Sequence, residues 1–275
     1  MTRLLPLSAA LVLFAACDKD DEAAPANERA DVRLAVEQAV TASMGFEAAF
    51  VAVAAQAPEA PTTTEPNAEA QVDLSPRDCG TADLSATPGT FFPATLTLAF
   101  GDACVAADGS PLGGTLVATF SGRFAEAGTR IDLTLEDYLV DGNRLSGAYA
   151  ITNTGPDAEG RPTFRHTITD GEVAYPDGTT LGYDETVTSV IMGQGDATVH
   201  EDTRAATVVT AAGDTIDVAT MQPLRRPVTC ARAVSGRYEL TTAALSQKAE
   251  LDFGDGACDD LAEVTYAGET WEVRF

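Results

Sequence analysis

The chain alternates small or polar residues with large apolar ones over Thr95-Leu96-Thr97-Leu98-Ala99-Phe100, and again over Thr115-Leu116-Val117-Ala118-Thr119-Phe120. A period of two places every second side chain on the same face of a β-strand, so each stretch predicts a strand with one buried face. Threonine fills many outward positions, where a β-branched polar side chain suits a solvated strand face. The same pattern recurs over residues 131–135, 186–190 and 269–273.

Short glycine-containing runs between these stretches predict tight hairpin turns, because Gly, Asn and Asp accept positive φ angles. The runs are Asp141-Gly142-Asn143, Asp170-Gly171, Pro176-Asp177-Gly178 and Ala212-Gly213-Asp214. Frequent turns with no helical stretch between them predict a mainly β fold, an antiparallel meander of about eleven to twelve strands over residues 94–275. Such a sheet has one face to bury, which leaves a curved sheet, a sandwich or an open barrel as alternatives.

Upstream of the sheet, the hydrophobic period becomes that of a helix. The apolar residues at near-helical spacing are Val32, Val36, Val40, Met44, Phe50 and Val51. We therefore expect a helical segment over residues 29–57 that packs on the sheet. Prolines and threonines then predict a linker over residues 58–78, followed by an all-β domain over residues 79–275.

The charge balance excludes several classes of partner. The chain has 275 residues, with 42 Asp and Glu against 17 Lys and Arg, and a net charge of −25. Nucleic acids and anionic lipid surfaces both attract basic faces, so we expect no nucleic acid partner. Lys19 and Lys248 are the only lysines; this composition resembles that of halophile proteins, and a GC-rich genome that favours arginine is the alternative.

Residues 1–16 have the anatomy of an export signal. Arg3 supplies the positive charge at the start, and residues 4–14 form the apolar stretch. That stretch is shorter than the about 20 residues that span a bilayer. Phe14-Ala15-Ala16-Cys17 resembles the lipobox of bacterial lipoproteins, in which the cysteine is diacylated and becomes the mature N-terminus. We predict that Cys17 is lipidated (a palmitate-type modification) and binds the protein to a membrane, with a soluble secreted protein as the alternative.

Residues 17–28 read as an acidic linker behind this anchor. Asp18-Lys19-Asp20-Asp21-Glu22 resembles the surface-export signal of Bacteroidota lipoproteins. Asp18 alone resembles the inner-membrane retention signal of enterobacterial lipoproteins, so the two analogies conflict. We expect the outer membrane and the cell surface, because the whole run matches the first analogy.

Four cysteines remain after Cys17: Cys79, Cys104, Cys230 and Cys258. An even number in an exported chain predicts disulfides, and four cysteines allow three connectivities. The short separations favour the local pairs Cys79–Cys104 and Cys230–Cys258. A Cys₄ zinc site is the rival interpretation, but neither pair has the spacing that places two thiolates on one ion.

Beyond Cys79 the chain carries a series of short motifs. They are Phe100-Gly101-Asp102-Ala103-Cys104, Asp108-Gly109, Ser121-Gly122-Arg123-Phe124, Asp141-Gly142, Pro176-Asp177-Gly178-Thr179, Val234-Ser235-Gly236 and Asp252-Phe253-Gly254-Asp255-Gly256-Ala257-Cys258-Asp259. The series resembles a group of uncharacterised Bacteroidota lipoproteins with F-G-D-x-C motifs, over about residues 79–275. The resemblance implies a cell-envelope lipoprotein with a β-rich body, and it implies no activity.

Catalytic motifs are absent from the sequence. His166 and His200 are the only histidines, and they lack the spacing of a metal site. Calcium has weak candidate ligands in Asp252, Asp255, Asp259 and Asp260, which cluster around two glycines. The simpler interpretation is an acidic turn that stabilises a hairpin, so we expect no cofactor and no enzyme activity.

Three functions fit these features. The first is a lipid-anchored, non-catalytic binding or structural module that contacts a glycan or an envelope protein. The second is a polysaccharide hydrolase, which needs a cleft with two carboxylates. The third is a periplasmic carrier with an apolar cavity inside a curved sheet.

The anchor is directly testable. Because Cys17 alone follows the small residues of the export signal, Cys17→Ala should abolish lipidation and release the protein from membranes. Labelled palmitate and membrane fractionation measure both effects. A wild-type protein that takes up no label would contradict the prediction.

Overall fold

A computed structural model describes residues 26–58, 79–106, 109–230 and 232–275. The predicted export signal, Cys17, most of the predicted acidic linker and most of the predicted Pro/Thr linker lie outside the described residues. The described part is mainly β, with one α-helix, thirteen strands and a single short 3₁₀ turn at Gly195–Ala197.

The helix α1 spans Ala26–Ala55, close to the expected 29–57. The strands are β1 Gly80–Thr87, β2 Phe91–Phe100, β3 Leu112–Phe120, β4 Arg130–Val140, β5 Asn143–Pro156, β6 Pro162–Ala174, β7 Thr180–Met192, β8 Val199–Val209, β9 Thr215–Pro227, β10 Ser235–Thr242, β11 Ala249–Asp255, β12 Leu261–Tyr266 and β13 Glu269–Arg274.

All thirteen strands form one antiparallel sheet in which each strand pairs with its neighbours in sequence. The predicted meander is therefore confirmed. β1 and β13 are the two edges and do not pair with each other, so the sheet stays open. Of the forms that the sequence left as alternatives, the structure has a single curved sheet.

The curvature follows from the burial of α1. Val32, Phe46 and Val53 are at most 1% exposed, and they share one core cluster with Leu96 of β2 and Val264 of β12. A flat sheet of thirteen strands would be roughly 58 Å wide, whereas a helix is about 10 Å across. Strands from both ends of the sheet can meet one helix only if the sheet curls around it.

A helix that is apolar on most sides is a buried helix in a globular protein or a membrane span. Residues 28–55 are long and apolar enough to cross a membrane, yet half of the qualifying window is buried inside this fold. In the structure, α1 is the core helix of the sheet.

One strand was not predicted, and one turn prediction needs correction. The twelve strands β2–β13 agree with the eleven to twelve expected over residues 94–275, and β1 is an additional strand before residue 94, where the alternation is weak. Asp170-Gly171 is not a hairpin turn, because it lies inside β6 and shifts the register with β7. Asp170 has φ of 51°, so the same residue types that build a turn here build a β-bulge.

The bulge makes room for Phe46. A Cβ on Gly171 would lie 3.3 Å from the tip of the Phe46 ring and would collide with the backbone of β7. The Phe46 ring stacks on Tyr183, with ring centroids 5.4 Å apart, and meets Tyr149 edge-on at 6.0 Å. The glycine therefore lets a helix aromatic sit close against the strands.

Both predicted disulfides are present: Cys79–Cys104 and Cys230–Cys258, with Cα–Cα distances of 4.9 and 5.6 Å. The first ties the start of β1 to the loop after β2. The second ties the loop between β9 and β10 to the loop between β11 and β12. Each bridge closes a loop of 25 or 28 residues, which by chain entropy stabilises the fold by about 3 to 4 kcal/mol.

Phe46→Ala should lower the free energy of unfolding by about 3–5 kcal/mol, because it leaves a cavity under two tyrosines. Leu34→Ala is the control: Leu34 lies on the same helix and is 54% exposed, so we expect a change within about 0.5 kcal/mol. Urea unfolding measures both. Equal effects would mean that α1 is not packed as described.

Candidate functional site

A cluster of charged and polar side chains lies between α1 and strands β6–β9. The helix contributes Ser43 and Glu47. The strands contribute His166, Glu185, Ser189, His200, Asp202, Arg204 and Arg226. These strand residues occupy inward positions. Glu185 lies on the same strand face as the buried Tyr183 and Val187, and Arg204 lies on the same face as the buried Ala206.

Arg204 is the centre of this cluster. Its side chain is 5% exposed. One terminal nitrogen lies 3.3 Å from a carboxylate oxygen of Glu185 and donates to the hydroxyl of Ser43. The other lies 3.4 Å from Asp202 and 3.7 Å from Glu47. One guanidinium thus joins two strands to the helix.

Glu47 connects the two arginines. Its second oxygen lies 2.5 Å from Nε of Arg226, so the carboxylate faces one guanidinium on β8 and another on β9. Burial raises the pKa of Glu47, but the positive charges of Arg226 and Arg204 outweigh it and lower that pKa to about 2. Glu47 is therefore ionised throughout the physiological range.

The other two carboxylates have pKa values shifted the opposite way. Burial raises the pKa of Glu185 to about 6, although Arg204 opposes the shift. Burial and the charge of Glu47 raise the pKa of Asp202. Three carboxylates share two arginines here. The two arginines therefore lower the pKa of one carboxylate, Glu47, while the pKa values of the other two are raised.

The two histidines, far apart in sequence, both lie edge-to-face near the ring of Phe50. The centroid of the Phe50 ring lies 4.2 Å from that of His166 and 6.1 Å from that of His200. His166 Nδ1 lies 3.1 Å from the hydroxyl of Tyr149. Burial lowers the pKa of His166 to about 3 and also lowers the pKa of His200, where the charge of Arg226 adds to the effect.

This arrangement is poorly suited to catalysis. A general acid or base must reach a substrate, whereas Glu185 and Asp202 contact Arg204 and are at most 8% exposed. The cavities within and beside the cluster have volumes of about 20 and 40 Å³, enough for water molecules only. The cluster links α1 to the sheet.

A larger cavity of about 590 Å³ adjoins the cluster and runs along α1; we call it the groove. The helix side that faces it repeats every three or four residues and is half-buried at Glu37, Thr41, Met44, Ala48 and Val51, whereas Ala55 at the helix end is exposed. Leu145 and Val173 border it from the sheet, although both side chains are almost fully buried. Glu47, His200 and Arg226 belong to both the cluster and the groove wall.

The acidic residues singled out in the sequence form no ligand set. Within the described residues, no three His, Cys, Asp or Glu side chains are arranged to hold a metal ion. Asp252 pairs with Arg237 at 2.7 Å, and Asp260 pairs with Arg274 at 2.7 Å. Asp259 accepts a hydrogen bond from the Leu261 N–H. Asp255, at the end of β11, borders a surface depression that Asp252 and Asp259 also line.

Comparison of the chain with protein-family models, with curated proteins and with solved structures gives no match. The geometry of the groove and the cluster therefore carries the functional argument.

Sequence reasoning missed the cluster, although one sign of it was available. Charged residues at inward positions of an apolar alternation must be paired when buried. Glu185 follows this pattern in β7, and Asp202 and Arg204 follow it in β8. The partner on α1 gives no such sign, because Glu47 stands in a helix with several half-buried polar residues.

His166 makes stability depend on pH. Its pKa of about 3 in the fold is below the ordinary value of about 6.5, so the unfolded chain takes up the proton first. The free energy of unfolding should therefore fall as the pH drops from about 6.5 towards 3, by up to about 1.4 kcal/mol per pH unit.

His166→Asn should remove this contribution. Because Glu185 titrates in both proteins, its opposite contribution cancels in the difference between wild type and variant. Above about pH 7 the two stability curves should run parallel, since the histidine is neutral in both states. Urea unfolding at a series of pH values measures the difference; curves parallel down to about pH 4 would contradict the assignment.

Proposed function

We propose that the protein is a lipid-anchored, non-catalytic binding module of the cell envelope, and that the groove along α1 is its ligand site. The observation that carries the proposal is the cavity of about 590 Å³ between a half-buried helix side and the curved sheet. This volume lies within the range of about 300–1,000 Å³ for small-molecule sites.

The lining of the groove favours an apolar ligand. Met44, Ala48 and Val51 present small or flexible apolar side chains from α1, and Leu145 and Val173 face them from the sheet. Ligand sites of this kind combine mostly apolar walls with a few polar groups that orient the ligand. The proposal therefore joins the binding module and the carrier, two of the three functions that the sequence permits.

The cluster of buried ion pairs also supports the proposal. Its carboxylates contact arginines rather than open space, which argues against the hydrolase. By joining α1 to β7, β8 and β9, the ion pairs hold one wall of the groove at a set distance from the other. A rigid wall favours binding because less conformational freedom is lost with the ligand.

Filling the groove tests the proposal. The probe is N-phenyl-1-naphthylamine, a neutral apolar dye whose fluorescence rises in apolar sites. Wild type should bind it saturably at one site, and Ala48→Trp should weaken binding about tenfold or more by occupying the groove. Leu34→Trp adds the same indole to the exposed side of α1 and should bind like wild type.

Thermal unfolding establishes that both variants are folded before their affinities are compared. No saturable binding by wild type would overturn the proposal. Equal affinities for wild type and a folded Ala48→Trp variant would place the dye elsewhere and would also overturn it.

A further inference from the structure

One end of the groove is basic, although the chain carries a net charge of −25. We call the basic end the part of the lining that His200, Arg226, Arg232, Arg274 and Phe275 form. Arg226, Arg232 and Phe275 also line one smaller cavity, so they lie near one another. Glu37 and Asp141 line the groove elsewhere, and Glu47 faces the arginines. Basic residues are scarce in this protein, so three arginines at one end of an apolar cavity form a marked local charge.

Two of these arginines are neutralised by partners within the fold. Arg226 pairs with Glu47 at 2.5 Å, and Arg274 pairs with Asp260 at 2.7 Å. Burial lowers the pKa of His200, which leaves that ring neutral at physiological pH. The remaining positive charge at this end is that of Arg232.

Arg232 makes no ion pair with any described residue, and its Nη1 is buried without a hydrogen-bond partner. A buried donor without a partner is unfavourable, and more so when it belongs to a charged group. An anionic ligand would satisfy this donor. A carboxylate fits best because its two oxygens match two parallel N–H groups of a guanidinium.

The described residues that flank Arg232 in the chain, Cys230 and Val234, are both tied to the rest of the fold. Cys230 forms the disulfide to Cys258, and its N–H donates to the Pro227 carbonyl at 2.9 Å. On the other side, the Val234 N–H donates to Arg225 at 2.8 Å, and the Val234 carbonyl accepts from Gly256. These contacts hold the main chain on both sides of Arg232, whose side chain lines the groove.

From these observations we infer that the groove binds a free long-chain fatty acid, with its carboxylate on Arg232 and its alkyl chain along Met44, Ala48 and Val51. The inference rests on the proposed function and adds the class of ligand. A ligand with one chain and one anionic group matches a single cavity that has one unpaired cation at its end.

Displacement of N-phenyl-1-naphthylamine tests the inference. Palmitate and hexadecanol have equal chain lengths and differ in the charged head, so wild type should bind palmitate about tenfold more tightly. Arg232→Gln should reduce the affinity for palmitate to that for hexadecanol, with the affinities for hexadecanol and for the dye unchanged. Arg165→Gln removes the same charge from an exposed site on β6 and should leave all three affinities unchanged.

Equal affinities of the wild type for palmitate and hexadecanol would overturn the inference. This comparison uses no variant, so it does not depend on whether a variant folds. An equal loss of palmitate affinity in Arg165→Gln and Arg232→Gln would overturn it too, because the effect would then be one of net charge. If phosphatidylglycerol vesicles displaced the dye at lower concentration than palmitate, the ligand would be a two-chain lipid and the fatty acid inference would be wrong. In each of these cases dye binding persists, whereas its absence would mean failure of the proposed function itself.

Discussion

The burial of α1 by a single sheet is the constraint on which the rest of the structure depends. A helix that is apolar on most of its circumference can be covered by one sheet only if the sheet curls. The curl brings β2 and β12 into one core and requires local irregularities such as the bulge at Gly171. The side of the helix that the sheet does not cover becomes a wall of the groove.

The buried ion pairs fix how the helix lies within the sheet. Replacing such pairs by apolar residues often costs no stability, whereas leaving one charge unpaired is strongly destabilising. A shift of α1 by one turn, about 5.4 Å, would take Glu47 away from both Arg204 and Arg226. The pairs therefore penalise every register except one, while apolar contacts alone would tolerate sliding.

Local patterns in the sequence predicted the strands, their antiparallel order and both disulfides, because these depend on neighbours in the chain. The patterns failed at Asp170-Gly171, where the same residue types suit a turn and a bulge, and at β1, where alternation is weak. The cluster could not be assembled from the sequence, since Glu47 meets Arg204 and Arg226 across most of the chain. The groove is less predictable still, because it is the space that the curl leaves beside one side of α1.

The strictly sequential order of the strands has a consequence for synthesis of the chain. Hairpins between consecutive strands can form as soon as each second strand has emerged, because their contacts are local. The helix emerges first, yet its partners on β7, β8 and β9 follow more than a hundred residues later. Until then its apolar surface has nothing to cover it, and exposed surface of this kind promotes aggregation. Among the described elements, α1 is therefore made first and is covered only after β7, β8 and β9 have followed.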